Sequence, residues 1–172
     1  MKLKKQHDFS MKNENKLLLE LIDKNCPSWI NRPDPSWDKI KILQYIIDQV
    51  LPGILKIEIG YLDHEKIIGT IPYRKTTANV VGYLHGGSIY SLGDTLAGAF
   101  IWSKSDGTHF AVTRKSEIRY LRPFKIGILR CTVKEKSRSG RKILLTANYQ
   151  DEDGKKITEV DMEYIQIASK IV

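Results

Sequence analysis

Between Asn79 and Trp102 the chain reads Asn-Val-Val-Gly-Tyr-Leu-His-Gly-Gly-Ser-Ile-Tyr-Ser-Leu-Gly-Asp-Thr-Leu-Ala-Gly-Ala-Phe-Ile-Trp. It is a short extended run, a glycine pair and then an apolar helix with a single acid in it. Gly86-Gly87 frees the backbone to turn and lets a ligand approach the main chain. Ser88, just after the pair, is placed to cap the first N–H groups of the helix. Capped or not, those amides form a small electropositive socket.

At about 100° per residue, Ile89, Leu92, Leu96 and Phe100 fall on one line, with Gly93, Ala97 and Ala99 beside it. The helix therefore buries a broad stripe, and Asp94 lies at its edge, one turn from Tyr90 and Gly98. Desolvation there raises a carboxyl pKa unless a cation or several donors hold it ionised. Glycine inside a helix costs about 1 kcal/mol relative to alanine, so Gly93, Ala97 and Gly98 imply close approach by a wrapped sheet or a partner subunit. The plain alternative is that Asp94 lies on the solvated side of an amphipathic helix.

Working outward, the 172 residues suit one domain with a substantial core. The hydrophobic fraction is 41% and the charged fraction 28%, a globular, soluble composition. No apolar run approaches the roughly 20 residues of a membrane span, and the N-terminus lacks the apolar region of a signal peptide, so a cytoplasmic protein with no membrane partner is expected. Cys26 and Cys131 show no metal-ligand or disulfide spacing, and no metal or cofactor is expected. The net charge of +8 suits nucleic acid, an anionic membrane or a small polyanion equally well. It also suits a compositional bias with no partner at all.

Upstream, residues 11–25 have helical spacing through Leu17, Leu18, Leu21 and Ile22, and a proline-rich connector follows in which Trp29 and Trp37 are expected to pack on the main domain. The division is an N-terminal helical extension and connector over 1–38 and a main domain over 39–172. A second helix is predicted from Trp37 to Val50, ended by Pro52-Gly53, then a strand from Ile54 to Leu62 and a hairpin partner from Lys66 to Arg74. Four strands are predicted after the central helix. The first carries Phe110, Val112, Ile118 and Tyr120 on one face, and the others run over 126–136, through Ile143, Leu145, Ala147 and Tyr149, and over 156–167. Short turns between them dictate antiparallel neighbours, so the fold class is α+β, a curved six-stranded sheet around one long helix.

His85-Gly86-Gly87, six residues, Asp94 and Ala97-Gly98, with Asn79 upstream and Tyr120-Leu121-Arg122-Pro123, Gly140-Arg141 and Asp153-Gly154 downstream, resemble the hotdog-fold acyl-CoA thioesterases of the PaaI, or HGG-motif, type. The resemblance covers roughly residues 40 to 168. It implies the hotdog fold, an acyl-CoA substrate, no prosthetic group, and self-association as a dimer or a dimer of dimers, a homotetramer, with sites at subunit interfaces. It also implies a role for each matched residue: Gly86 as oxyanion donor, Asn79 orienting the carbonyl, Asp94 as general base or else nucleophile, and Thr113 holding the water. His85, Gly87 and Tyr90 fall beside the substrate. Arg122, Arg138 and Arg141, with Lys125 and Lys142, lie at strand ends as candidates for the coenzyme phosphates.

Plainer roles stay open: Asn79 as a turn residue, Thr113 as an ordinary strand threonine, and His85 as a spacer in the positive field of a helix N-terminus. A non-catalytic acyl-CoA-binding protein is the alternative function. A dehydratase would want a histidine paired with an acid. Nucleic-acid binding is not expected, because no stripe interleaves aromatic and basic residues.

Overall fold

The computed structural model describes residues 15–169. Among these residues four α-helices, a short 3-10 helix and six strands follow one another: α1 (15–25), α2 (Lys39–Asp48), α3 (Leu51–Leu55), β1 (Glu58–Leu62), β2 (Lys66–Pro72), the 3-10 helix (Lys75–Thr77), α4 (Gly86–Ser103), β3 (His109–Tyr120), β4 (Ile128–Ser139), β5 (Lys142–Gln150) and β6 (Lys156–Ala168). The strands form one antiparallel sheet in the order β1-β2-β4-β5-β6-β3, curved about α4. This is the hotdog fold.

The sheet's inner face follows the period of two along each strand. Ile67 and Ile71 of β2, Leu129, Cys131 and Val133 of β4, Ile143, Leu145, Ala147 and Tyr149 of β5, and Val160, Met162 and Tyr164 of β6 are all buried. They close on the stripe of α4, where Ile89, Leu92, Gly93, Leu96, Ala97, Ala99 and Phe100 are buried. Of the small residues expected to allow close approach, Gly93 does so, whereas a β-carbon on Gly98 would meet nothing within 4 Å. A β-carbon on Gly93 would lie 1.9 Å from the Tyr149 hydroxyl, and one on Gly69 of β2 would lie 2.6 Å from the Leu96 side chain, so glycine lets the helix and sheet touch.

Three expectations need correction. Pro52-Gly53 does not simply end the second helix. The chain breaks after Asp48 and starts α3 with Pro52 in its first turn, where a missing N–H costs nothing. A β-carbon on Gly53 would lie 2.1 Å from the Asp48 carbonyl oxygen, so α3 folds back on α2, and the strand predicted from Ile54 starts at Glu58. Second, Phe110 and Val112 do not share a face with Ile118 and Tyr120. A bulge between Thr113 and Lys115 sets two residues against one and flips the alternation. Val112 is consequently 41% exposed, and Thr113 turns toward α4. Third, Trp29 is 67% exposed; of the two connector tryptophans it is Trp37 that packs on the core.

Within the described part of the extension, Leu18 and Ile22 of α1 join the same core as α4. Lys24 Nζ donates to the Gly107 carbonyl at 3.2 Å, and Asn25 Nδ2 donates to Ser169 Oγ at 3.1 Å. Thus α1 packs at the end of the fold where α4 finishes. Residues 11–14 of the predicted first helix lie outside the described residues.

Candidate active site

The site is built on both ends of one idea: a helix that starts in the open and carries an acid at mid-length. The start is set by the turn at 79–83. Asn79 Oδ1 accepts from the amides of Val81 and Tyr83, each at 3.1 Å, so its side-chain oxygen shapes the turn. The chain is then pinned by His85 N donating to the Thr77 carbonyl at 2.9 Å and Leu84 N donating to Phe124 O at 2.7 Å.

The helix is not capped by Ser88. His85 is the N-cap, and its Nδ1 accepts from Gly87 N at 2.9 Å. Ser88 is buried one step inside and donates to Thr77 O at 3.4 Å. An imidazole that accepts at Nδ1 carries its proton on Nε2. His85 therefore takes the Gly87 N–H that the sequence reading gave to the substrate, which leaves the Gly86 amide as the candidate donor at the helix mouth. Tyr120, from the end of β3, donates its hydroxyl to the Gly86 carbonyl at 3.0 Å.

Eight residues further along α4, Asp94 is half-buried. Thr113 Oγ1 donates to its Oδ1 at 2.6 Å, and the Tyr164 hydroxyl donates to the same oxygen at 2.7 Å. Thr113 and Tyr164 are direct partners across β3 and β6. The bulge in β3 makes this pairing face the helix, and Asp94 meets both hydroxyls because it lies at the edge of the buried stripe. Tyr90, one turn before Asp94, pairs with Ser116 Oγ of β3 at 2.8 Å. Burial raises the pKa of both tyrosines, and the charge of Asp94 adds to the rise. Both remain protonated across the physiological range.

Tyr164 is the residue that sequence reasoning missed. It stands in the buried alternation of β6 and reads as core, but a tyrosine placed there must find a partner for its hydroxyl. That requirement was the available signal.

The basic residues do not form one cluster. Arg122 lies near the start of α4, where it donates to Lys156 O at 2.7 Å. Arg138 grips Glu135 with two bonds of 3.1 and 3.0 Å, and the Arg141 carbonyl accepts from Gln166 N. Ten residues of β6 separate Lys156 from Gln166, about 30 Å at strand pitch. Arg138 and Arg141 belong to the far end of the sheet, where Lys104 after α4 approaches Glu135 at 3.9 Å. Within one chain they cannot share a ligand with Arg122. The Gly86 amide and Asp94 are also apart, by about 12 Å of helix rise.

A curved six-stranded sheet wrapped on one long helix is the hotdog fold, and here two hydroxyls donate to an acid in the middle of that helix, which makes this carboxylate the candidate site. The model of the Thioesterase superfamily matches residues 81–158, from the turn before α4 into β6. A thioesterase of Haemophilus influenzae is 19% identical, with 75% of this chain and 90% of that chain covered at a TM-score of 0.72. The PaaI protein of the E. coli phenylacetic acid degradation operon is 21% identical, covering 70% and 86% at 0.63. A Streptococcus mutans protein bound to acetyl CoA is 19% identical, covering 67% and 91% at 0.60. No curated protein matches the sequence.

Proposed function

We propose that this protein hydrolyses an acyl-CoA thioester to a free acid and coenzyme A, with Asp94 as general base. The observation that carries this is the carboxylate itself: half-buried, oriented by two neutral hydroxyls, and set on the central helix of a thioesterase-superfamily fold. The acetyl CoA in the S. mutans relative supports the substrate class.

Asp94 takes a proton from water, and the resulting hydroxide attacks the thioester carbonyl carbon. Negative charge collects on the carbonyl oxygen, where the Gly86 N–H and the positive end of α4 stabilise it. The tetrahedral intermediate collapses, the C–S bond breaks, and the thiolate, whose conjugate acid has a pKa near 8.5, recovers the proton from Asp94. Thr113 donates a hydrogen bond to Asp94 Oδ1 and keeps lone pairs that can accept the second hydrogen of the water. Asn79 contributes by holding the turn that presents Gly86.

Because Gly86 and Asp94 of one chain are a helix length of two turns apart, the amide facing each carboxylate comes from a second copy. The working unit in this reading is a homodimer or a dimer of dimers.

The test is thiol release across a panel of acyl-CoAs differing in chain length and aromaticity. Asp94→Asn keeps the shape and removes the base, and turnover is expected to fall by about 10²- to 10⁴-fold. Equal turnover by wild type and mutant rejects the role of Asp94. Saturable acyl-CoA binding without hydrolysis by the wild type rejects catalysis in favour of a binding protein.

A further inference from the structure

We infer that Tyr164 is a positioning residue that, with Thr113, locks Oδ1 of Asp94 and thereby assigns proton abstraction to Oδ2. The inference rests on the proposed role of Asp94 as base. Both donors reach Oδ1, at 2.7 and 2.6 Å, and they come from facing positions on adjacent strands. Two bonds to one oxygen fix the carboxylate plane as well as its charge. Neither of these donors reaches Oδ2, and in this reading Oδ2, on the side of the carboxylate shared with the Tyr90 hydroxyl, is the oxygen that takes the proton of the water.

The Tyr164 ring supplies the rigidity. It is 2% exposed, stands opposite Ile143 of β5, and also directs its hydroxyl to the Asp94 main-chain carbonyl at 3.1 Å. Burial of the phenol favours its protonated, donating form. The residue works by holding another group, with no contact to the reacting carbon.

The titratable groups facing Asp94 are few. Tyr90 faces it from α4 and Tyr164 from β6, while β3 presents Thr113 and Ser116, whose hydroxyls do not ionise. The charges on these strands lie elsewhere: Arg114, Lys115 and Lys142 act on Glu163, with Arg114 at 3.2 Å from it. Removing the Tyr164 hydroxyl therefore acts on Asp94 through one lost donor.

Tyr164→Phe in the full chain is compared with wild type by acyl-CoA hydrolysis against pH, and by ¹³C detection of the Asp94 carboxyl through an acid titration, assigned with Asp94→Asn. Loss of a hydrogen bond to the charged form raises a carboxyl pKa. The expected result is an acid limb of kcat/KM moved upward by about one pH unit, a similar move of the ¹³C midpoint, and a kcat about tenfold lower with KM unchanged. Thr113→Val is expected to move both midpoints in the same direction. If neither midpoint moves in a folded Tyr164→Phe, the positioning role is overturned even where Asp94→Asn is inactive. If the ¹³C midpoint moves while wild type releases no thiol, the positioning of Asp94 stands and its catalytic use fails.

Discussion

Gly93→Ala should be far more damaging than an alanine inside a helix has any right to be. By intrinsic propensity the change gains about 1 kcal/mol. Here the new methyl would lie 1.9 Å from the Tyr149 hydroxyl and 3.0 Å from its Cζ. The hydroxyl is thus about 1.5 Å inside ordinary contact distance. Tyr149 is fully buried at 0% exposure and cannot swing away, so helix and sheet must part. Overpacking of this kind costs about 1 to 3 kcal/mol, and a loss near 3 is expected. At roughly 2 to 4 °C per kcal/mol for a chain of this size, the melting temperature falls by about 6 to 12 °C.

The mechanism is isolated by a double-mutant cycle with Tyr149→Phe. Among the described residues the Tyr149 hydroxyl has no well-formed hydrogen bond, with only the weakly polar Cys131 thiol beside it, so removing it alone should leave stability unchanged or raise it by about 1 kcal/mol. In that background the closest remaining atom is the ring carbon at 3.0 Å, which needs to yield only a few tenths of an ångström. Gly93→Ala should then cost about 1 kcal/mol, a coupling of about 2 kcal/mol within the range for touching residues. Denaturant unfolding of the four proteins measures it. Additive effects, or a single Gly93→Ala mutant as stable as wild type, would refute the claim that this glycine sets the helix-to-sheet distance.

Gly86→Ala offers a contrast, because its methyl would meet the Tyr120 hydroxyl at 2.9 Å, and Tyr120 is half exposed and free to move. A loss below about 1 kcal/mol is expected by the same unfolding assay. His85→Ala removes the N-cap of α4 and should cost about 1 kcal/mol, whereas His85→Asn, an effective cap, should recover most of it. Asp63, in the β1–β2 turn, has its pKa lowered from 3.8 to about 2, first by the Tyr61 hydroxyl and then by the Lys66 amide. A pKa depressed in the folded state means stability present above about pH 4 and lost as pH falls toward 2. Wild type should therefore exceed Asp63→Ala in acid-unfolding experiments above pH 4, and the difference should shrink below it; a constant gap would contradict the assignment.

Much of the architecture was legible because it depends on short-range periodicity. The alternation Ile143, Leu145, Ala147, Tyr149 and the stripe Ile89, Leu92, Leu96, Phe100 follow from strand and helix geometry alone, and both are buried as read. The landmarks around His85-Gly86-Gly87 and Asp94 carried the fold class. Misreadings arose where one residue changes the local rule. The bulge before Lys115 reverses the faces of β3, and the contact of Gly53 with Asp48 turns an expected helix stop into a new helix.

The amino-acid sequence by itself determined that a single acid sits at the edge of a buried helix behind a glycine pair, since that is a matter of residue type and angular spacing. Only the tertiary structure decided what holds the acid. Thr113 and Tyr164 are 51 positions apart and meet because β3 and β6 pair in one register. The structure likewise decided that His85 takes the Gly87 amide, and that Arg122 and Arg138 lie at opposite ends of the sheet. Hydrogen bonds are directional and short, so a contact made across a sheet has no signature in the spacing of the residues that make it.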